Sequence, residues 1–224
     1  MIKVRTYEWV PPFAQGLVRD LRVRWALEEA GLPYQEDLIS HPDRLSASHI
    51  GKQPFAQVPT YEEDGLVLFE SGAIVLHIAE KSERLLPRDP AGRAHAIAWI
   101  FAALNSIEQR VQDLVLLDAF YGNEEWAKLR KPSLRAEASK RLGQLSERLD
   151  GRDYLEGRFT AGDLMMSSVL RISRSTDLLD EFPNLAAYRA RCEARPAFKK
   201  ALDAHMAVYP KHSPPPQWQG GKPK

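Results

Sequence analysis

The sequence predicts an α/β unit followed by an all-helical unit, on three observations. Strand-like and helix-like pieces alternate as far as residue 85 or so. A connector punctuated by prolines, Leu85-Leu86-Pro87-Arg88-Asp89-Pro90, comes next. Beyond it only helical spacing survives. Residues 1–7 set apolar Ile2 and Val4 between Lys3 and Arg5, the alternation of a half-buried strand, and Pro11-Pro12 stops it. Residues 14–30 read as a helix with Leu17, Leu21, Val23, Ala26 and Leu27 on its apolar side, ended by Gly31 and Pro33. Residues 34–39 form a second strand, and the polar stretch 40–53 a loop or loose helix. Residues 58–61 and 66–69 are short strands joined by Glu62-Glu63-Asp64-Gly65, in which Asp-Gly signals a tight hairpin. Ser71 then opens a helix to residue 81, with Ile74, Val75 and Ile78 on one face. The predicted order is β-α-β-α-β-β-α.

The reading divides the chain into a first domain at 1–83, a linker at 84–90, an all-helical domain at 91–209 and a tail at 210–224. Helices are expected over 91–120, 124–149, 161–174, 185–194 and 196–208. Thr160-Ala-Gly-Asp163 before Leu164-Met165-Met166 is a capping box, which gives Thr160 and Asp163 a folding role. The tail is proline- and glycine-rich, lacks periodicity and cannot bury a core.

Composition excludes several classes. Of 224 residues 44% are hydrophobic and 27% charged, the mixture of an ordinary globular protein. Lys+Arg 31 against Asp+Glu 30 leaves +1, so no net field draws the chain to nucleic acid or an anionic membrane. The longest apolar run, Ala96 to Leu104, is far shorter than the ~20 residues of a membrane helix. The N-terminus has no signal-peptide pattern. One cysteine, Cys192, excludes a disulfide framework and any CxxC motif, and reads as an inert packing residue. The histidines fall at no metal-ligand spacing, so no metal is expected. The expectation is a cytoplasmic protein with no nucleic-acid or membrane partner.

Four stretches, in order along the chain, carry a resemblance. They are Val23-Arg-Trp-Ala-Leu-Glu-Glu-Ala-Gly-Leu-Pro-Tyr34, Pro54-Phe-Ala-Gln-Val-Pro59, Leu68-Phe-Glu-Ser-Gly-Ala-Ile74, and Phe182-Pro-Asn-Leu with Ala190-Arg-Cys-Glu-Ala-Arg-Pro-Ala-Phe198. Together they resemble the cytosolic glutathione transferase (glutathione S-transferase) family, in its bacterial-type members. The resemblance implies a thioredoxin-like N-terminal domain and an all-helical C-terminal one. It also implies a homodimer, glutathione as co-substrate, and addition of its thiolate to a small hydrophobic electrophile.

Glutathione carries an amine and a carboxylate at its γ-glutamyl end, a second carboxylate at its glycine end, and a thiol between. By resemblance the bond before Pro59 is cis and aims the Val58 N–H and C=O at the cysteinyl unit, so that the tripeptide pairs like an added edge strand. Ser71, read as an N-cap, puts a helix start and its free N–H groups where the γ-glutamyl carboxylate belongs. Glu70 is available for the ammonium, and by resemblance Gln57 points at the same end. The plainer reading is a strand beginning at Val58-Pro59 and a capped helix beside a solvated Glu70. For the glycine carboxylate His41, Arg44, Lys52 and Gln53 are candidates, with Lys52 and Gln53 nearest the proline turn.

The thiol needs a group that lowers its pKa. The family places a Tyr, Ser or Cys near the start of its first helix. Counting back from Gly31 lands on Leu17 and Phe13, which cannot donate, and Trp9-Val-Pro-Pro-Phe-Ala-Gln-Gly16 reads as an altered loop that upsets the count. The catalytic residue is therefore left open among the backbone N–H groups of residues 14–16, Gln15, Tyr7, Trp9 and Arg19. Tyr7 also reads as a packing residue of its strand, and Arg19 as a solvated one. Walls for the electrophile are expected between the domains, from residues 9–13 and from Ile107, Val111, Leu114 and Tyr121, although the same side chains read equally well as core. Two alternatives stand beside the transferase: a non-catalytic binding or scaffold protein of the same fold, and a glutathione-dependent disulfide or peroxide reductase. The proline run Pro214-Pro215-Pro216 is too short to define a docking motif by itself.

Overall fold

The structure, a computed structural model, describes residues 1–215. The expected tail from Pro216 onward lies outside the described residues. The chain divides into two compact units: Met1–Lys81 joined by the chain from Pro196 on, and Ser82–Arg195.

The first unit holds β1 (Ile2–Tyr7), α1 (Asp20–Ala30), β2 (Tyr34–Ile39), α2 (Ala47–Ile50), β3 (Thr60–Glu63), β4 (Leu66–Phe69) and α3 (Ser71–Ala79). The four strands form one mixed sheet in the order β2-β1-β3-β4. Asp64 and Gly65 both have positive φ, 49° and 87°, the requirement of a two-residue hairpin turn. β3 starts at Thr60, later than spacing suggests, because Pro59 has no N–H to give a ladder. α1 also starts late. Residues 11–19 are a chain of turns in which the Ala14 and Gln15 N–H groups donate to the Pro11 carbonyl at 2.8 and 3.2 Å. Gly16 at φ 77° breaks any helical continuation there. Gly31 closes α1 in the left-handed region at φ 69°, and the Leu32 N–H reaches the Leu27 carbonyl at 2.9 Å.

The second unit is helical: α4 (Pro90–Ala102), α5 (Gln109–Tyr121), α6 (Glu125–Arg148), α7 (Ala161–Leu170) and α8 (Pro183–Glu193). The single helix expected over 91–120 contains a π-helical segment, Ala103–Glu108, between α4 and α5. α7 is the central helix, and a Cβ at Gly162 would meet the Trp99 Cβ at 2.6 Å, so only glycine lets α4 approach. The capping box forms: Thr160 Oγ1 accepts the Gly162 N–H at 3.2 Å, and Asp163 Oδ2 accepts the Thr160 N–H at 2.9 Å. Asp163 Oδ1 also accepts the Leu155 N–H and the Tyr188 O–H, each at 2.9 Å. Ile107, Val111 and Leu114 are 5%, 1% and 2% exposed, so of their two readings, pocket wall and core, they take the second. Tyr121 is half exposed. Cys192 is buried, and burial pushes its thiol up to about 12.

α9 (Pro196–Met206) corrects the domain assignment. Spacing alone gives residues 196–209 to the helical domain, but α9 packs against α1 and belongs to the first unit. Phe198 meets Trp25 edge-on at 4.8 Å between ring centroids. This second layer explains why every residue from Leu21 to Leu27 is buried, arginines included. After α9, Tyr209–Lys211 make one 3-10 turn with Tyr209 buried, so ordered structure reaches past the expected start of the tail.

Candidate functional site

Strand register decides which loops meet. β1 runs parallel to β2, with Tyr7 opposite Ile39. β1 runs antiparallel to β3, with Arg5 opposite Thr60, and β3 antiparallel to β4, with Thr60 opposite Phe69. The exits of β1, β2 and β4 and the entry to β3 therefore share one end of the sheet. That end collects the loop after Tyr7, the stretch after Ile39, the Gln57-Val58-Pro59 turn and Glu70-Ser71. Open α/β sheets place ligands at the carboxyl ends of strands where connections diverge to either side.

The Val58-Pro59 peptide is cis. Among the described residues neither the Val58 N–H nor its C=O is taken by another backbone group. The turn is fixed from behind: His49, 1% exposed on α2, bonds the Gln57 carbonyl through Nε2 at 2.9 Å. Gln53 is buried, and its Oε1 accepts the Phe55 N–H at 2.6 Å, so it shapes the turn from inside. Lys52 pairs with Glu62 at 2.6 Å. Arg44 has a buried Nε without a hydrogen-bond partner. Ala56 and Glu70, which flank the turn and the helix start, are non-glycine residues at φ 53° and 67°. Such backbone costs about 1–3 kcal/mol apiece and concentrates at ligand clamps.

Glu70 occupies the cap position of α3, and Ser71 is its first helical residue rather than its N-cap. Glu70 is exposed and makes no ion pair among the described residues. Ser71 is 4% exposed and its Oγ accepts from Arg22 Nη1 at 3.2 Å. Because the oxygen is the acceptor in that bond, the hydroxyl proton remains available to an anion. Arg22, itself 4% exposed, sets a buried positive charge beside the positive end of the helix. Sequence reading missed both Arg22 and His49.

The open thiol candidates sort by what they already bond. The Ala14 and Gln15 amides serve the Pro11 carbonyl, and the Gly16 amide serves His205 Nε2 on α9 at 3.2 Å, so the backbone N–H groups of residues 14–16 are already engaged. The Gln15 side-chain amide bonds the Val10 carbonyl at 3.1 Å. Trp9 and Arg19 are half-buried in the same turn. Tyr7 is half-buried at the exit of β1, 5.5 Å from the His41 ring, and its hydroxyl makes no hydrogen bond among the described residues. Burial raises the Tyr7 pKa, which the nearby Arg44 charge partly offsets, so the phenol stays protonated. Phe13 is exposed and Leu17 half-buried, and neither offers a donor. The described residues contain no group of three His, Cys, Asp or Glu that could hold a metal ion, and no helix among them is long and apolar enough to cross a membrane.

A thioredoxin-like unit with a helix start, a cis-proline turn and a strand exit converging at one sheet end, followed by a helical unit, defines the class of two-domain glutathione-type folds. The N-terminal domain model of glutathione S-transferases matches residues 14–80, and their C-terminal domain model matches residues 111–196. The chain belongs to the glutathione S-transferase family. It is similar to glutathione S-transferase alpha-2 of Rattus norvegicus, 31% identical over 185 residues, covering 80% of this chain and 81% of that one. Glutathione S-transferase alpha M14 of Sus scrofa is 30% identical over 187 residues with the same coverage. Among solved structures, a glutathione transferase from Burkholderia graminis superposes at a TM-score of 0.78 with 29% identity, covering 91% of this chain and 88% of that one. That protein was crystallised with two glutathione molecules per subunit. One from Pseudomonas putida, with one glutathione disulfide per subunit, gives 0.77 at 26% identity and 90% of each chain.

Proposed function

We propose that the protein is a glutathione transferase that adds the glutathione thiolate to a small hydrophobic electrophile. The observation that supports this best is the convergence of Ser71 with Arg22, the unclaimed Val58 backbone groups and the free Tyr7 hydroxyl at one end of the sheet. In this reading the α3 start, Ser71 and Arg22 hold the γ-glutamyl carboxylate, Glu70 and Gln57 its ammonium, and the Val58 N–H and C=O the cysteinyl unit. Lys52 and Arg44 take the glycine carboxylate, with Gln53 keeping the turn in shape. The sulfur lies against the turn after β1, where the Tyr7 O–H donates to it and the Arg44 charge favours the thiolate. Lowering the thiol pKa raises the fraction of nucleophile at neutral pH, and holding sulfur and carbon together supplies the rest of the rate. Pro12 and exposed Phe13 offer an apolar wall to the electrophile.

We further propose a cytoplasmic homodimer. β4 is an outer strand, and Leu66, Val67 and Phe69 are 40%, 39% and 37% exposed, with Phe55 at 65% exposure edge-on to Phe69. A second copy covering this patch would relieve an exposed apolar edge. Sedimentation of the wild type against Phe55→Ser tests it: the expected result is a dimer that the substitution loosens.

The function is tested by following thiolate absorbance of bound glutathione against pH. Binding with a thiol pKa well below the free value supports the transferase. Binding with an unshifted pKa supports the alternative of a carrier or scaffold, which the lack of a donor at Phe13 and Leu17 favours. No binding at millimolar glutathione removes the site assignment.

A further inference from the structure

The helix that completes the first unit reaches back to the turn beside Tyr7. His205 on α9 is 1% exposed, and its Nε2 accepts the Gly16 N–H at 3.2 Å. An amide can only donate, so Nε2 is the unprotonated nitrogen and Nδ1 carries the proton. That Nδ1 lies 3.1 Å from Oδ2 of Asp20, which is wholly buried and also takes Arg24 Nε at 2.7 Å. Arg24 in turn binds Glu36. Burial works against the Asp20 charge, but His205 and Arg24 together hold its carboxyl below the usual range, which keeps it an acceptor. The Tyr209 hydroxyl lies 2.8 Å from His205 Nε2. The neighbouring Val208 and Tyr209 bury Val10 and pack against Tyr7, Ala14 and Val18. Farther on, His212 lies 3.6 Å from Glu8. The segment 205–212 thus grips the loop after β1 at its start, middle and end.

We propose that His205, oriented by Asp20, is a positioning residue for the thiol: it fixes the Gly16 amide, and so the turn and the Tyr7 side chain against which the sulfur lies. This rests on the transferase reading. Two substitutions separate the two bonds of the ring. Asn in place of His205 keeps a donor for Asp20 but cannot reach Gly16, whereas Gln keeps an acceptor for Gly16 and gives up the Asp20 contact. In His205→Asn the bound thiol pKa is expected to rise by about one unit, so kcat near neutral pH falls about tenfold with KM little changed. His205→Gln is expected to keep most of the wild-type value. A role confined to stability would lower the melting temperature in both and leave the bound thiol pKa alike in both, and that result overturns the proposal. If His205→Asn does not fold, the wild type decides: a 15N–15N coupling between the Gly16 amide and His205 Nε2 is expected, and its absence overturns the proposal. Wild-type protein that binds no glutathione overturns the transferase reading itself, and this inference with it. A wild type that lowers the thiol pKa, with both variants lowering it equally, overturns this inference alone.

Discussion

In the proposed reading Ser71 and Arg22, joined by a hydrogen bond of 3.2 Å, bind the γ-glutamyl carboxylate together. The serine hydroxyl is short and buried, and the guanidinium fixes which way its proton can point. Ser71→Ala is expected to weaken glutathione binding by about 1–3 kcal/mol, since it strips a donor from a charged group; calorimetry that finds unchanged affinity would remove Ser71 from the site. Tyr7→Phe is expected to lower turnover about a hundredfold with the fold intact, as losing one donor to a developing anion does elsewhere. Unchanged turnover would leave Tyr7 as strand packing. A third residue gives a pH dependence. Glu63 is held down to about 2 from an ordinary 4.5 by hydrogen bonds from Lys81 and then Tyr61. A depressed carboxylate contributes stability above its unfolded pKa and loses it as pH falls toward the folded value. The stability gap between wild type and Glu63→Gln should therefore be full at pH 6 and shrink between about 4.5 and 2, as urea titrations at several pH values would show. Gln57, Val58, Glu70 and Ser71 were named in the sequence through the stretches that carry the resemblance, and the β3–β4 pairing is what brings those four residues to one end of the sheet. Arg22 was not, because its partner lies 49 residues away.

Among elements, α7 shows how much depends on one helix start. Thr160→Ala removes the cap bond to the Gly162 amide and the hydroxyl's bond to Asp163, and is expected to cost about 1 kcal/mol. Asp163→Ala should cost several times more, because it strands the Leu155 and Thr160 amides and the Tyr188 hydroxyl in the interior. Equal losses in denaturant titration would contradict this account. The box was legible because capping is local. So was the end of α1, where Gly31 alone supplies the left-handed residue. Its beginning was not: Leu17 keeps the apolar spacing of a helix, while Pro11 and Gly16 draw the backbone into turns. The π segment in the run from Pro90 to Tyr121 was equally hidden, since it alters hydrogen-bond spacing and leaves the helical character of the sequence intact. Ser71 stood one position from its predicted place for a similar reason: a positive φ at Glu70 lets that residue take the cap position.

At the scale of the whole molecule, the class of each unit was legible from alternation and period, but the ownership of α9 was not. Its apolar residues fit a helical neighbour as well as a sheet-backed one, and contacts distant in sequence, such as Trp25 with Phe198 and Asp20 with His205, show which it is. A chain stopped at Arg195 would uncover Trp25 and leave Asp20 without its histidine. Such a chain is expected to lose the fold of residues 1–81 by near-ultraviolet circular dichroism, and retention of a native spectrum there would show that α9 is dispensable. The discontinuity has a consequence for synthesis. A ribosome building the protein from Met1 delivers all of Ser82–Arg195 before the segment that completes the first unit. The first unit therefore closes only after the second has been made, and until α9 follows, Trp25 and Asp20 on α1 lack the Phe198 and His205 that cover them.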